Sequence, residues 1–495
     1  MLLDLLNKND QLKLSVLITL ESQPSAISIK ELTEKLQVSE YHIAGAIDTL
    51  ITDVGRLGLP VALFTIEILD NKIVQYTRNS SLSAFNYLLY IYSLESNFSP
   101  FFNNFLFERA ASQVEFLDEN FISKTSFFRL RKQFEPTLKQ FNVNMTAKLQ
   151  LLGSERDIRS FLYIYLLTSN GDVKVPFSPD LEIELDNLID STEDLLPVTF
   201  SNADRLKLRY YLYVIFVRTS LQHYVSKNKP TNAEYSTAMG RMSVLFTKFF
   251  ELPNELEAQS IVAELFIFLF SEGITTLLPH RIDLLPAIVA VREQFQTAFH
   301  PSNETMQQLF TPDVNVKLAQ FLTHLIFFSY PINLLVDPQN ISYLNDNFSD
   351  YQTFSQSVIK TLLPSYLPGR DCLFQHHEQA LSTDLLLLIV ANFNLTLLTS
   401  PIVVTIDFTY GENYTKFIEN EIKNFNSLNL KVTHQLTDQT EILISNLSPQ
   451  VIPSTHKLQW TSPPTSSDWA FLGNLIVSIK KERHLNHDKK NKQKN

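Results

Sequence analysis

Residues 120–141 constrain the fold of this chain more than any other stretch of the sequence. A short turn at 120–122 is followed by Ser123, which suits the N-cap of a helix. The helix that follows has an apolar stripe at positions i, i+3, i+7, i+11 and i+14 and a polar, mostly cationic opposite face. Two short helices joined by a tight turn, the second amphipathic, are typical of a helix-turn-helix unit. The stripe is Phe127, Leu130, Phe134, Leu138 and Phe141, and the opposite face carries Lys124, Thr125, Ser126, Arg129, Arg131 and Lys132.

The cationic face of this helix is a candidate DNA-binding site. Hydroxyl groups in the first turn suit base edges, and cations one to two turns later suit phosphates or guanine. Residues 121–150 hold six Lys and Arg against one acid, although the whole chain has a formal charge of −11. A solvated basic face without a ligand is the alternative. Pro136 is expected to kink or end the helix near Glu135.

An earlier segment follows a similar plan. An apolar-rich helix at 12–20 and a short helix at 30–36 precede a second amphipathic helix, whose stripe runs from Ile43 to Val54. Two strands around Asp70-Asn71 predict the wing of a winged helix-turn-helix domain. The exposed face of the second helix carries no Lys or Arg, so DNA contact and packing against protein are equally supported. The candidate DNA-binding residues on it are Ser39, Tyr41, His42 and Thr49.

Composition favours a mainly helical, multidomain protein. A chain of 495 residues is too long for one hydrophobic core, and 44% hydrophobic residues exclude a disordered chain. Only 10 Gly occur against 37 Phe and 18 Tyr, which argues against Gly-rich nucleotide folds. One cysteine, Cys372, leaves no partner for an intrachain disulfide and indicates a reducing compartment. No stretch has the pattern of a secretion signal or a membrane span, so we expect a soluble, cytoplasmic protein without a membrane partner.

Three motifs in sequence order resemble a known family. They are Ser28-Ile29-Lys30-Glu31-Leu32 with Val38-Ser39, then Ile122-Ser123-Lys124-Thr125-Ser126-Phe127-Phe128-Arg129, and then Leu151-Leu152-Gly153-Ser154-Glu155-Arg156-Asp157-Ile158-Arg159, which runs on through Phe161. In this order the chain resembles the Mga/AtxA family of Gram-positive virulence transcription regulators, which contain PTS regulation domains. These domains are helical sensors tied to the sugar phosphotransferase system (PTS).

The resemblance implies a mainly α multidomain architecture. It predicts two N-terminal (winged) helix-turn-helix domains, two helical PTS regulation domains and a C-terminal small α/β domain resembling enzyme IIB of the same system. The boundaries that we expect are 1–80 and 81–170 for the helix-turn-helix domains, 171–285 and 286–398 for the PTS regulation domains, 399–480 for the enzyme IIB-like domain and 481–495 for a basic disordered tail. Helical spacing through the middle of the chain fits this plan independently.

Histidines in the two sensor domains are candidate phosphorylation sites. The resemblance implies this role, because PTS regulation domains are controlled by phosphorylation on histidine, with phosphocarrier proteins as partners. A phosphate adds up to about two negative charges, which can change a helix interface. His223, five residues after Arg218 on a predicted helix, resembles the first sensor position. An ordinary packing role is the alternative for each histidine. The candidates are His223, His324, His376 and His377.

The C-terminal segment predicts a small parallel sheet. A buried-strand run at 401–408 precedes a helix at 412–425 and two further strands, a β-α-β order typical of α/β domains. Enzyme IIB domains carry a phosphorylated cysteine in the loop after the first strand. Here that loop is Thr409-Tyr410-Gly411, which excludes phosphotransfer chemistry there and leaves the domain as a surface for self-association.

Together these patterns predict a DNA-binding transcription regulator that forms a homodimer through its C-terminal domain. No Ser/His/Asp set, phosphate loop or metal cluster occurs at a recognisable spacing, so we expect no enzymatic activity, metal or cofactor. The partner that we expect is double-stranded DNA. The alternatives are an RNA-binding antiterminator and a non-catalytic phosphotransferase-related interaction protein. Two helix-turn-helix units argue against the antiterminator, since antiterminators carry a small β-rich RNA-binding module instead.

Overall fold

The chain forms two compact units. The first is Met1–Asp283 with Gln320–Leu335 and Leu367–His377, and the second is Leu284–Ala319 with Val336–Tyr366 and Glu378–Asn495. Helices predominate, as the composition predicted. No helix in the described part of the chain is long and apolar enough to cross a bilayer. The computed structural model describes residues 3–23, 25–56, 63–110, 112–196, 198–225, 236–276, 284–332, 344, 347–398, 400–424, 429–447, 455–461 and 463–492.

The N-terminal part of the first unit is a winged helix-turn-helix arrangement. Its elements are α1 (Lys8–Glu21), β1 (Ile27–Ser28), α2 (Ile29–Leu36), α3 (Glu40–Arg56), β2 (Phe64–Leu69) and β3 (Ile73–Arg78). Strand β3 pairs antiparallel with β1 and β2, so β2 and β3 form the predicted wing. Ser28 and Glu31 form a capping box, which fixes the start of α2. Leu32, Ile43 and Ile47 share a buried core with Val74 of the wing, which confirms the predicted stripe.

A second helix-turn-helix domain follows. Its elements are α4 (Ala84–Glu95), α5 (Ser99–Phe107), α6 (Gln113–Glu119), α7 (Lys124–Gln140), β4 (Asn144–Met145), β5 (Leu151–Leu152) and α8 (Glu155–Asn170). The side chain of Ser123 accepts a hydrogen bond from the Ser126 N–H, so it is the N-cap of α7 as predicted. The apolar stripe of α7 is buried from Phe127 to Phe141. A close Phe101–Phe127 stack joins it to α5.

Pro136 was expected to kink or end α7 near Glu135; the helix continues to Gln140, so it does not end there. Proline removes one hydrogen bond from a helix interior. Thr137 and Leu138, which follow the proline, are buried in the domain core. Packing of this last turn offsets the missing hydrogen bond, and the helix is therefore 17 residues long.

Helix α8 joins the second helix-turn-helix domain to a helical bundle in one continuous core. The bundle consists of α9 (Pro179–Leu195), α10 (Asn202–Ser220), α11 (Ser236–Phe249) and α12 (Glu255–Ser271). On one side of α8, Phe161 contacts the rings of Phe134 and Phe141. On another side, Tyr163 meets Tyr211 of α10 and Phe268 of α12 edge to face. Because α8 is buried around its circumference, it is part of the core of the second helix-turn-helix domain and of the core of the bundle.

The second unit begins with further helices that pack around an aromatic cluster. They are α13 (Leu285–Phe299), α14 (Asn303–Leu309), α15 (Pro312–Phe327), α16 (Ser349–Ser357), a π-helical turn (Val358–Leu362), α17 (Leu363–Tyr366) and α18 (Asp371–Asn392). Phe295 lies at the centre, in contact with Phe310, Phe354 and Phe393. Helices α15 and α18 each cross from one unit to the other, and α18 has non-helical backbone angles at His377, where the units divide.

The chain ends in the predicted small parallel α/β arrangement. Its elements are β6 (Ile402–Asp407), α19 (Glu412–Lys423), β7 (Leu430–Thr433), β8 (Ile442–Ser445), β9 (His456–Gln459) and α20 (Ser466–Lys492). All pairings are parallel, in the order β7-β6-β8-β9. One face of the sheet, with Val404 and Ile406, shares a core with Ile418 of α19 and Leu472 of α20.

The segment 481–495, predicted as a disordered tail, is helical as far as Lys492. The apolar stripe of α20 continues through Ile476 and Ile479. One turn later, Arg483 donates to the Ser400 carbonyl at 2.6 Å and pairs with Glu441. These contacts anchor the start of the tail, so the helix extends into residues whose composition alone indicates disorder.

Candidate nucleic-acid interface

Helix α7 presents its cations away from the core. Lys124, Arg129 and Lys132 are exposed, together with Thr125. Of the four predicted cations on this face, only Arg131 is in an ion pair within the part of the chain that the structure describes. The exposed N-terminal half of the helix therefore combines a free hydroxyl with three uncompensated charges. This is the residue set that phosphate and base contacts require.

Arg131 has a structural role. Its Nε donates to Glu135 Oε1 at 3.0 Å, and its Nη2 donates to the backbone carbonyl of Met145 at 3.0 Å. The side chain is 23% exposed. Arg131 thus fixes β4 against α7 and has few donors left for DNA. Ser126 is also engaged locally, because its hydroxyl accepts from Ser123 Oγ at 3.0 Å.

A wing that the sequence analysis missed follows α7. Strands β4 and β5 pair antiparallel, with Asn144 opposite Leu152. The turn at 146–150 closes with the Thr146 N–H donating to the Gln150 carbonyl at 2.9 Å, and it exposes Lys148. This hairpin adds a cation to the second domain, which is therefore also a winged helix. The two-residue strands and the absence of a glycine in the turn left no strong pattern to detect.

The first domain presents a different surface. Tyr41 is 84% exposed and meets the His42 ring edge to face at 5.6 Å, and Ser39 Oγ lies 2.8 Å from His42 Nδ1. Thr49 is exposed, with its hydroxyl donating to the Gly45 carbonyl at 2.8 Å. Lys72 of the wing pairs with Glu40 at 2.6 Å. Tyr41, His42 and Thr49 are exposed on α3, and Ser39 directly precedes this helix. The ion pair of Lys72 with Glu40 neutralises the wing lysine at the start of α3. The structure thus keeps the two predicted sets on separate helices.

In a comparison with protein-family models, residues 81–166 match the Mga helix-turn-helix domain. The chain contains an Mga domain. The match supports membership of the Mga family of regulators, which confirms the family predicted from the motifs. It extends from before α4 through α7 and the second wing into α8. The Mga domain supports a DNA-binding transcription regulator. No curated protein matches the chain.

Buried ion pairs connect the Mga domain to the bundle. Arg218 of α10, 1% exposed, donates to both carboxylate oxygens of Glu155 at 2.9 and 2.8 Å and to Glu108 Oε1 at 3.0 Å. Burial favours a higher pKa for Glu155, but the hydrogen bond from Arg218 and the charges of Arg159 and Arg218 hold this pKa below its usual value. Arg159 of α8 in turn pairs with Glu264 of α12 at 2.7 Å. We call these five residues the ion-pair network.

His223 lies beside this network. Helix α10 ends at Ser220, so His223 follows the helix and is not on it, contrary to the prediction. Its Nε2 is 2.9 Å from Glu108 Oε1 of the Mga domain, and its backbone carbonyl accepts from Arg159 Nη2 at 3.1 Å. The side chain is 36% exposed. The first phosphorylation candidate therefore contacts the Mga domain directly.

The other candidate histidines differ in access. His324 is fully buried with Nε2 2.7 Å from the Tyr330 carbonyl, and burial lowers its pKa to about 4. His377, 8% exposed, lies at the kink of α18 near Phe141, and burial lowers its pKa to about 4 as well. His376 is exposed. His223 and His376 are thus accessible from solvent, whereas His324 and His377 are in the core.

The loop after β6 contains no nucleophilic cysteine and is held by hydrogen bonds. The Thr409 N–H donates to Asn446 Oδ1 at 3.0 Å, and Asn446 Nδ2 donates to Thr409 Oγ1 at 2.6 Å. Tyr410 donates its hydroxyl to the Thr461 carbonyl at 2.7 Å. In the described part of the chain, no group of three or more His, Cys, Asp or Glu side chains could hold a metal ion.

Proposed function

We propose that the protein is a cytoplasmic transcription regulator that binds double-stranded DNA through α7 of the Mga domain. The exposed cations Lys124, Arg129 and Lys132 beside Thr125 carry this proposal. Helix α7 lies in the major groove, with its first turns at base edges and its cations at phosphates. Lys148 of the second wing contacts the adjacent backbone. The first domain adds polar and aromatic contacts through Tyr41 and His42.

A salt titration of binding tests this function. The full-length protein is titrated into duplex DNA and into single-stranded RNA at several salt concentrations. Binding to duplex DNA with an affinity that falls steeply with salt supports the proposal, since cations that contact phosphates release counterions. Preference for RNA supports the antiterminator instead. Absence of binding to either nucleic acid favours an interaction protein related to the phosphotransferase system.

Phosphorylation of His223 by phosphocarrier proteins is the control that we propose. The supporting observation is the 2.9 Å contact of His223 with Glu108. A phosphate on the ring would bring about two negative charges to the Glu108 carboxylate. The resulting repulsion would change how the bundle holds the Mga domain. Incubation of the protein with phosphorylated phosphocarrier protein, followed by mass mapping of the modified histidine, tests this control, and His376 is the second site to inspect.

Homodimerisation through the C-terminal domain completes the proposal. Among the exposed apolar side chains of its described residues are three aromatic ones, Tyr410, Phe417 and Phe471. Exposed apolar side chains of this size favour association between protein surfaces. A two-fold dimer would also match the two half-sites that helix-turn-helix dimers contact. Sedimentation of the full-length protein over a range of concentrations tests this state.

A further inference from the structure

One aromatic side chain on α7 has no place in the core. Phe128 is the fifth residue of the helix and is 55% exposed, whereas Phe127 beside it is fully buried. The apolar stripe that holds α7 in the domain runs along the other side of the helix. Leaving a phenyl ring in water forgoes the free energy of burial, so the ring contributes little to folding here.

The neighbours of Phe128 indicate what the ring meets. Residues three and four positions away share its side of the helix, and these include Lys124, Thr125 and Lys132, all exposed. The Phe127 ring meets Phe128 edge to face at 5.4 Å, which restrains the exposed ring. The exposed ring of Phe128 therefore lies among cations and a hydroxyl group. Such a surface is complementary to a negatively charged polymer that also exposes an apolar group.

Duplex DNA has such a group in its major groove. The C5-methyl of thymine is the apolar feature of an A·T pair there, and phenylalanine is among the side chains that contact it. Phosphate contacts position a recognition helix but carry no direct sequence information, so those cations of α7 that contact phosphates do not select a site. The N-terminal residues of a recognition helix contact base edges. Phe128 lies in this part of α7.

We propose that Phe128 selects DNA sites by contact with thymine methyl groups in the major groove. This inference depends on the proposed DNA-binding function. Within that function, Phe128 is the specificity residue of α7, and Lys124, Arg129 and Lys132 supply affinity that is largely independent of sequence. A protein partner for the same ring would instead make Phe128 important for association and irrelevant to the choice of base.

Replacement of thymine by deoxyuridine tests the contact, because uracil lacks only the methyl group. A preferred duplex is first selected with the full-length protein from a random-sequence library, and each thymine is then replaced singly. In the unaltered protein, at least one replacement should weaken binding by about four-fold, the value expected for one buried methyl group. In Phe128→Ala that replacement should have no effect, and Phe128→Leu should retain part of it.

A matched control is Ile183→Ala, which removes an exposed apolar side chain, 60% exposed, from α9 of the bundle. This variant should keep the full thymine preference. If deoxyuridine weakens Phe128→Ala and the unaltered protein equally, or weakens neither, the methyl contact is refuted while DNA binding stands. If the unaltered protein shows no salt-dependent binding to any duplex, the proposed function and this inference both fail.

Discussion

His223 Nε2 lies 2.9 Å from Glu108 Oε1, and the same oxygen accepts a hydrogen bond from Arg218 Nη1 at 3.0 Å. Glu108 follows α5 in the Mga domain, whereas Arg218 lies in the last turn of α10 in the bundle and His223 follows that helix. A single carboxylate oxygen thus joins the candidate sensor histidine to the candidate DNA-binding domain. Any change in the charge of His223 acts on this oxygen at hydrogen-bond distance.

The first prediction concerns this contact. His223→Asp places a carboxylate near Glu108, which mimics part of the charge of a phosphate and repels Glu108, whereas His223→Ala only removes the group that would accept the phosphate. We expect the two variants to shift transcription of a target gene in opposite directions. Glu108→Gln, combined with His223→Asp, should cancel most of the effect of His223→Asp, because the repelling charge is gone. Equal output from His223→Asp and His223→Ala would mean that His223 has only a packing role.

The second prediction concerns Arg218. Arg218→Met leaves the Glu155 carboxylate, 11% exposed, without its bidentate partner. Removal of one member of a buried ion pair costs roughly 3–5 kcal/mol of unfolding free energy. The control is Lys30→Met, whose partner Glu34 is 66% exposed and whose loss should cost less than about 1 kcal/mol. Urea unfolding of both variants measures the difference, and equal losses would contradict a structural role for the ion-pair network.

The third prediction concerns phosphate contacts by α7. The double variant Arg129→Ala, Lys132→Ala should weaken binding to all duplex sequences. Each lost phosphate contact reduces the slope of log K against log salt by roughly 0.9, so a reduction of about 1.8 is expected. The control Lys416→Ala, Lys431→Ala removes two exposed cations from the C-terminal domain and should leave the slope unchanged. Equal slopes for both double variants would remove α7 from the interface.

The fourth prediction concerns pH. Burial lowers the pKa of His324 to about 4, so between pH 6.5 and pH 4 the unfolded chain binds a proton that the folded chain does not. Stability therefore falls as the pH decreases through this range, by about 2 kcal/mol from His324 at pH 5 relative to pH 7.5. His324→Gln keeps a donor for the Tyr330 carbonyl and should flatten this part of the stability curve. A slope unchanged by the substitution would show that His324 protonates without unfolding.

The fifth prediction concerns self-association. Phe417→Glu with Phe471→Glu introduces charges at two exposed apolar positions of the C-terminal domain. If these side chains lie in the dimer interface, sedimentation velocity should shift towards the monomer, because burying unpaired charges is costly. Ile183→Glu makes the same kind of change on α9 and should leave the dimer intact. A double variant that stays dimeric would place the interface elsewhere.

Local patterns made the helix-turn-helix elements and the parallel sheet predictable. The cap at Ser123 and the apolar period after it define α7, and the apolar run of β6 defines the first parallel strand. Each of these signals consists of residues that are only a few positions apart in sequence. The charged face of α7 followed from the same period, because its residues alternate with the buried stripe.

Contacts between distant residues were not predictable in this way. Arg218 is 63 residues from Glu155 and 110 from Glu108, and no period in the sequence connects them. The engagement of Arg131 with Met145 depends on a hairpin whose strands have two residues each, too short for an alternating pattern. The helical start of the tail depends on the contact of Arg483 with Ser400, 83 residues away. All three features depend on tertiary contacts, and neither local patterns nor composition predict these contacts.

Because α8 packs against both the Mga domain and the bundle, the stretch that matches the Mga model is not a stretch that folds by itself. The stretch that matches the Mga model ends at residue 166, within α8, which continues to Asn170. A recombinant fragment cut at these borders would keep Phe161 against its own domain but expose Tyr163, whose ring partners Tyr211 and Phe268 would be missing. Such a fragment should aggregate, since a large aromatic surface would face water. We therefore expect a soluble fragment that contains the Mga domain to need α10 and α12, which cover α8. Transfer of residues 81–166 alone into another protein should expose the same aromatic surface.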